Sequence, residues 1–402
     1  MSRRAERIVL IVFDYMGYAD IAPFGVSEIR TPNIHRLADQ GTCFTDFYAP
    51  SSICSPSRAA LLMGRYPKHI GIELNVEPDG PGLKASDASL ARRLRNAGYA
   101  TALYGKWHVG HAAEESPNAH GFDDFLGFLD WNVDYYSHKT TDGADALYHN
   151  DKVVVQPGYS TDLFTQASVD FIETNARNPF FLYLAYNAML PPYTPPGLDG
   201  RPEEWDQWVK RPRADYVAAV EHLDAGVGRV LDALEAQGLA EDTLVLLTYD
   251  HGGGTMGTKG PFFHGFGTLW EGGIRVPMIL RWPGIVAAGA ETDRPAILMD
   301  ATATLLAAAS LDPAPDADGV SLLEAGPEPE RPLYWRFEFP GEGEHWRARA
   351  QRAVRRGRWK YLWDGGYECL YDLAADPGER DDLGYRHPDL LAELRTLSES
   401  DW

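Results

Sequence analysis

Apolar runs that favour β-strands alternate with helix-patterned stretches along this 402-residue chain, and this alternation constrains the fold most strongly. The runs that read as strands are residues 8–13, 99–104, 180–186, 244–249 and 276–281. The stretches that read as helices are residues 33–40, 57–64, 88–97, 163–176, 216–237 and 299–308. Because strands buried on both faces of a parallel sheet are continuous apolar runs, we predict an α/β fold with a mostly parallel sheet flanked by helices.

A passage rich in Pro, Asp, Glu and Gly over residues 312–331 interrupts this pattern. The segments beyond it are β-like at residues 353–363 and 370–373 and helix-like at residues 388–398. The sequence therefore predicts a large domain over residues 1–325 and a smaller C-terminal α+β subdomain over residues 326–402.

Charge and cysteine usage exclude several classes of protein. The formal net charge of −21 leaves nothing to offset repulsion from phosphates, so a nucleic-acid partner is not expected. The apolar run at residues 8–13 is too short for a signal peptide, and no run is long enough to span a membrane. Three cysteines do not make a disulfide framework, which favours a reducing compartment. We therefore expect a cytoplasmic protein with no membrane partner.

Polar side chains follow two of the predicted strands. Asp14 ends the first strand, and Asp250 and His251 end a later one. Carboxyl ends of parallel strands converge on the crevice where open α/β sheets hold ligands, although a single strand-end Asp is more often a loop cap. Two carboxylates and an imidazole can hold a divalent cation, and their hard oxygens favour Ca²⁺ or Mg²⁺.

A second marker follows the strand at residues 99–104. Lys106 and His108 lie two residues apart, so they can point to the same side of an extended chain. Such a pair supplies a fixed cation and a proton-transfer group. On its own, the pair is equally consistent with a solvated lysine and a hydrogen-bonded histidine.

The segment Cys54-Ser55-Pro56-Ser57-Arg58 is the most specific motif, and it continues to Gly64-Arg65. The further motifs are Thr31-Pro32-Asn33-Ile34, Gly121-Phe122-Asp123, Leu370-Tyr371-Asp372-Leu373 and Asp376-Pro377-Gly378-Glu379. In this order, along nearly the whole chain, they resemble the sulfatase family and its arylsulfatase-like members. The resemblance implies an alkaline-phosphatase-like fold, sulfuric ester hydrolysis, and bound Ca²⁺ rather than Mg²⁺. It also implies formylglycine made from Cys54 by a maturation enzyme.

The resemblance further implies a role for each matching residue. Asp14, Asp250 and His251 would bind the metal together with formylglycine at position 54. Arg58 and Lys106 would position the formylglycine hydrate, whose oxygen attacks sulfur, and stabilise its charge. His108 would deprotonate the second hydroxyl, which expels sulfate and regenerates the aldehyde.

Three departures from the family pattern would remove chemical groups from the site. Tyr15 stands where a second Asp is usual, Leu190 where His is common, and Phe266 where Lys is usual. These changes remove a metal carboxylate, a leaving-group acid and a cation for the sulfate. Because one such donor is typically worth about 10²–10³ in rate, we expect strongly reduced activity unless other groups substitute. The candidates for substitution are Asp20 for metal, Lys259 for the anion and His264 for acid catalysis.

Two alternatives stay open from the sequence. One is a phosphate or phosphonate ester hydrolase of the same fold, and the other is a catalytically impaired sulfatase-like binding protein. The substrate is expected to be a small-molecule or carbohydrate sulfate ester. If Tyr15, Leu190 and Phe266 line the pocket mouth, its apolar wall suits an aryl or alkyl ligand better than a multiply charged glycan.

Overall fold

One large mixed sheet organises most of the chain. The computed structural model describes residues 4–25, 28–198, 211–323, 330–338 and 350–400. The strands of the large sheet are β1 (Arg7–Phe13), β2 (Thr42–Tyr48), β3 (Ala100–Lys106), β4 (Asp124–Phe128), β5 (Tyr148–His149), β6 (Lys152–Val153), β7 (Phe180–Ala185), β8 (Thr243–Tyr249), β9 (Arg275–Arg281), β10 (Ala290–Thr292) and β11 (Ala296–Ile297). Their order is β10-β2-β9-β8-β1-β7-β3-β4-β5-β6, and β11 pairs with β2.

Helices flank this sheet. They are α1 (Pro32–Asp39), α2 (Cys54–Met63), α3 (Pro67–Ile70), α4 (Leu90–Asn96), α5 (Ser160–Thr174), α6 (Arg213–Ala236), α7 (Glu271–Ile274) and α8 (Leu298–Ala308). Helix α6 packs against α5 and α1, whereas α2 packs against α8. The central strands β1, β7 and β8 are buried along almost their whole length, which agrees with their continuous apolar sequences.

The predicted strands and helices are confirmed as elements, with ends that differ by up to three residues. Strand β2 was not predicted, because Thr45 and Asp46 interrupt its apolar run at a bulge between Phe44 and Phe47. It pairs antiparallel with β9, and β9 also pairs antiparallel with β8, so the sheet is parallel mainly at its centre. Helix α2 begins at Cys54 itself, three residues earlier than predicted.

The C-terminal part forms a second, antiparallel sheet. Its strands are β12 (Leu333–Phe337), β13 (Gln351–Arg356), β14 (Trp359–Asp364) and β15 (Tyr367–Asp372), and it is followed by α9 (Pro388–Glu399). The β-like run predicted at residues 353–363 is two strands, because Gly357 at φ +58° turns the chain between β13 and β14. The predicted domain boundary at residue 325 lies outside the described residues and stays a prediction.

The small sheet is packed on both faces. Trp335 and Leu362 join one apolar cluster with Tyr48 of the large sheet, and the Trp335 indole N–H donates to the Ala49 carbonyl at 2.7 Å. On the other face, Leu394 of α9 packs against Val354 of β13. The small sheet is therefore joined to the large domain by an apolar core.

A buried ion-pair network also joins the two sheets. Lys360 of β14 is fully buried, and its Nζ lies 2.8 Å from both Glu271 Oε1 and Glu379 Oε1. Glu271 also pairs with Arg275 at 3.3 Å. Burial raises the pKa of Glu379 to about 7, against the opposing effect of Lys360.

Among the described residues, no helix is both long and apolar enough to cross a bilayer.

Candidate active site

Four adjacent strands bring the predicted polar residues to one edge of the large sheet. Strands β8, β1, β7 and β3 lie side by side in that order. Asp14 follows β1, Asp250 and His251 follow β8, and Lys106 is the last residue of β3. All four side chains are fully buried. The convergence follows from the parallel direction of these strands, whose carboxyl ends meet at the same edge.

Cys54 lies at the centre of this group. Its Sγ is 3.1 Å from His251 Nε2, and the Lys106 ammonium donates to it at 3.2 Å. The next residue fixes the start of α2, because the Ser55 hydroxyl donates to the His108 carbonyl at 2.6 Å. The cysteine therefore occupies the first position of a helix, where backbone N–H groups favour an anion.

Arg58 lies one turn further along α2 and links the carboxylates. Its guanidinium donates to Asp250 Oδ2 at 2.9 Å, to Asp14 Oδ2 at 3.0 Å and to the Lys106 carbonyl at 3.1 Å. Only 1% of Arg58 is exposed, so these bonds form away from water. Lys106 also donates to Asp14 Oδ2, at 2.6 Å. The Arg58 guanidinium and the Lys106 ammonium are thus held in fixed positions close to Cys54.

The surrounding charges set the protonation states of this cluster. Burial opposes ionisation of Asp14, but Lys106 and Arg58 outweigh it and hold the pKa of that carboxyl below its ordinary value. Burial likewise opposes a charged His251, yet Asp250 and the Cys54 sulfur raise its pKa to about 9. The cluster is therefore a compact array of ionised groups inside the protein.

His108 has the opposite electrostatic environment. Burial, Lys106 and Arg58 all lower the pKa of His108, which lies well below 6.5. Its Nδ1 makes no hydrogen bond to the described residues, and its backbone has a positive φ of 55°. The imidazole is consequently neutral at neutral pH and can accept a proton.

The donor chemistry of the cluster is suited to a divalent cation. One ligand atom each from Asp14, Cys54, Asp250 and His251 can be chosen so that all lie within 4.8 Å of one another. Asp250 Oδ1 is buried and accepts no hydrogen bond from the described residues. A divalent cation would satisfy this acceptor, so the four residues fit a metal.

A pocket of about 300 Å³ opens above Cys54 and His108. The other residues that line it are Tyr15, Asn75, Val76, Glu77, Asp130, Trp131, Leu190, Pro191 and Phe266. The three substituted positions therefore do line the pocket, as the sequence hypothesis required. Asn75, Glu77 and Asp130 were not predicted, because each lies in a loop without a recognisable motif.

Two aromatic rings form the wall beside His251. The Tyr15 and Phe266 ring centroids are 4.7 Å apart, and they lie 6.1 Å and 4.8 Å from that of His251. A Cβ atom at Gly254 would come within 2.0 Å of the Tyr15 ring, so glycine is required there. The positions that would hold a metal carboxylate and a sulfate-binding lysine thus hold a packed apolar wall.

The proposed substitutes for the missing groups do not line this pocket. Asp20 instead accepts hydrogen bonds from the Gly17 amide, the Tyr216 hydroxyl and the Thr258 amide, at 2.9, 2.5 and 3.0 Å. Its carboxylate therefore fixes a loop. Lys259 and His264 are likewise not among the pocket-lining residues.

A larger cavity of about 560 Å³ lies elsewhere. Residues of β3, β4 and α5 line it, including Tyr104, Asp124 and Asp170, and it contains none of the predicted site residues. Size alone therefore does not identify the functional site in this protein, whereas the ionised cluster and its cysteine do.

Comparisons with known proteins agree with this geometry. A family model described as Sulfatase matches residues 6–311, and one described as N-sulphoglucosamine sulphohydrolase, C-terminal, matches residues 262–398. Arylsulfatase A of Bos taurus is 33% identical and covers 96% of this chain and 81% of its own length. N-acetylgalactosamine-6-sulfatase of Sus scrofa is 29% identical, with coverages of 97% and 84%. The crystal structure of Ps i-CgsB in complex with k-i-k-neocarrahexaose superposes with a TM-score of 0.88 at 30% identity, covering 100% of this chain and 93% of that one.

Proposed function

The chain belongs to the sulfatase family, and from this premise we propose that it is a sulfuric ester hydrolase of the arylsulfatase type that uses formylglycine made from Cys54 and a bound Ca²⁺. The observation that best supports the proposal is the set of contacts around Cys54. Its sulfur lies within 3.2 Å of both Lys106 Nζ and His251 Nε2, in a cluster that also contains Asp14, Arg58 and Asp250.

The residues that would hold Ca²⁺ are Asp14, Asp250, His251 and position 54. Formylglycine would supply a geminal-diol nucleophile, and Ca²⁺, when bound, would supply Lewis acidity. Arg58 and Lys106 supply fixed positive charge beside position 54, where it stabilises an anionic group without reorganisation. His108 lines the pocket as a neutral imidazole and accepts a proton from position 54.

The substituted wall determines which esters can react. Leu190 offers no proton to a departing alcohol, so the chain depends on leaving groups that depart as stable anions. Phenols meet this requirement better than sugar hydroxyls. The wall of Tyr15, Leu190 and Phe266 also suits an aromatic group, and the Glu77 and Asp130 carboxylates oppose a second negative charge. We therefore propose a compact aryl sulfate as the substrate class. The structural relative Ps i-CgsB, by contrast, forms a complex with k-i-k-neocarrahexaose.

The test is turnover of an activated aryl sulfate with Ca²⁺, after co-expression with the formylglycine-generating enzyme. The parent chain is compared with a variant carrying Tyr15→Asp, Leu190→His and Phe266→Lys. Activity in the parent supports the proposal. Activity confined to the restored variant would contradict it and identify the parent as a disabled sulfatase scaffold.

Aryl phosphates and phosphonates are run beside the sulfates. A higher kcat/KM for the phosphorus esters would replace the proposal with the alternative activity on the same fold. We also propose that a formylglycine-generating enzyme acts on Cys54 and that the protein is located in the cytoplasm.

A further inference from the structure

The four candidate metal ligands have the spacing of a small tetrahedral site. Cys54 Sγ is 3.1 Å from His251 Nε2 and 3.9 Å from Asp14 Oδ1. His251 Nε2 is 3.5 Å from both Asp14 Oδ1 and Asp250 Oδ1. A tetrahedral centre with bonds of about 2.0–2.3 Å, the values for zinc, has edges of about 3.3–3.8 Å. These four of the six separations bracket this range, and because all four atoms lie within 4.8 Å of one another, inward shifts of the remaining pairs would complete the site.

An unmet acceptor favours a cation there. Asp250 uses Oδ2 to bind Arg58, which leaves its buried Oδ1 without a hydrogen bond from the described residues. That oxygen lies on the His251 side of the cluster. A divalent ion would satisfy it directly.

The donor types discriminate between metals. Ca²⁺ takes about six to eight oxygen ligands, but this cluster offers carboxylate oxygens from only two residues. The position after Asp14 is Tyr15, whose ring packs against Phe266 and His251 rather than supplying a third carboxylate. The remaining donors are a thiol sulfur and an imidazole nitrogen, which suit borderline-soft transition metals.

We propose that the encoded form of the protein, in which residue 54 is still cysteine, binds Zn²⁺ at Asp14, Cys54, Asp250 and His251 and prefers it to Ca²⁺. Binding releases two protons to solvent, one from the Cys54 thiol and one from the His251 imidazolium, as the sulfur and Nε2 become ligands. Conversion of Cys54 to formylglycine removes the sulfur donor of this cluster, so the matured form should lose the preference. The proposal concerns metal selectivity in the thiol form and does not depend on turnover.

The experiment uses full-length protein made without the maturation enzyme, with the thiol confirmed by mass spectrometry. Chelator competition measures the Kd for Zn²⁺ and Ca²⁺ on the same sample. We expect one Zn²⁺ per chain, bound at least about 100-fold more tightly than Ca²⁺. Loading with Co²⁺ should give a sulfur-to-cobalt charge-transfer band in the near ultraviolet.

Cys54→Ser is the test variant, and Cys43→Ser is the matched control because Cys43 is a similarly buried thiol that lies outside the cluster. The cobalt band and the Zn²⁺ preference should disappear in the first and persist in the second. If Cys54→Ser does not fold, the matured form replaces it and must lose the preference. Equal affinity for the two metals in the parent would overturn the proposal, as would unchanged Zn²⁺ binding without the sulfur.

Discussion

Replacing Lys106 with methionine tests the proposed catalytic role of this lysine separately from its structural one. Lys106 is fully buried, and its ammonium contacts Asp14 Oδ2 at 2.6 Å and Cys54 Sγ at 3.2 Å. Methionine fills a similar volume and leaves Asp14 with Arg58 and His251 as its remaining cationic partners. Breaking a buried ion pair from one side typically costs about 3–5 kcal/mol, and Arg58 should hold the cost near the lower end.

The same change also removes a preorganised positive charge beside the nucleophile. One such donor is worth about 10²–10³ in rate, which corresponds to about 3–4 kcal/mol of transition-state stabilisation. We therefore expect Lys106→Met to lower both the free energy of unfolding and kcat/KM for an aryl sulfate. Turnover is measured per folded molecule, with the folded fraction taken from thermal melts.

The chain provides a matched control in Lys360→Met. Lys360 is also fully buried and also contacts carboxylates, at 2.8 Å from Glu271 and Glu379, but these partners lie outside the Cys54 cluster. This variant should be destabilised to a similar extent and keep a kcat/KM close to that of the parent in its folded fraction. Equal losses of kcat/KM in both variants would refute a direct role for Lys106.

Three more predictions follow from individual side chains. In a series of aryl sulfates, Leu190→His should raise kcat/KM for esters of weakly acidic phenols more than for esters of strongly acidic phenols, by up to about 10²–10⁴. The control variant Leu190→Asn should show no such gain. Because the pKa of His108 is lowered below 6.5, the acid limb of the kcat/KM profile should lie below pH 6.5, and a limb above that value would contradict the assignment. The pKa of Glu379 is raised from 4.5 to about 7 in the folded protein. The contribution of this group to the free energy of unfolding is therefore fully present below pH 4.5 and is lost as the pH rises to 7. Because glutamine does not titrate, the free energy of unfolding of Glu379→Gln should rise relative to that of the parent over this interval, by at most about 3 kcal/mol in melting curves. A constant difference between the two proteins would refute the pKa shift.

Much of the candidate site could be predicted because its residues follow buried strands. Asp14 and Asp250 each come directly after a continuous apolar run, and parallel strands necessarily bring such residues to one edge. Lys106 ends a third strand of the same direction, and His108 comes two residues later. Local sequence therefore determined both the element and the side chain's place in it.

The parts that were missed depend on contacts between distant segments. Asn75 and Glu77 reach the pocket from a loop, and no periodic pattern places such residues. Lys360 meets Glu271 only because the small sheet docks on the large domain. Strand β2 is stabilised by pairing with β9 despite the polar residues inside it. Tertiary pairing outweighed local pattern in that case.

The central claim is that Cys54, as formylglycine, is the nucleophile. The most direct measurement varies the dose of the maturation enzyme and compares two quantities in each sample. Mass spectrometry gives the fraction of Cys54 converted, and turnover of an aryl sulfate gives the specific activity. We predict activity proportional to the converted fraction, with none at zero conversion and none in Cys54→Ala. Activity that persists without conversion, or full conversion without turnover, would contradict the account.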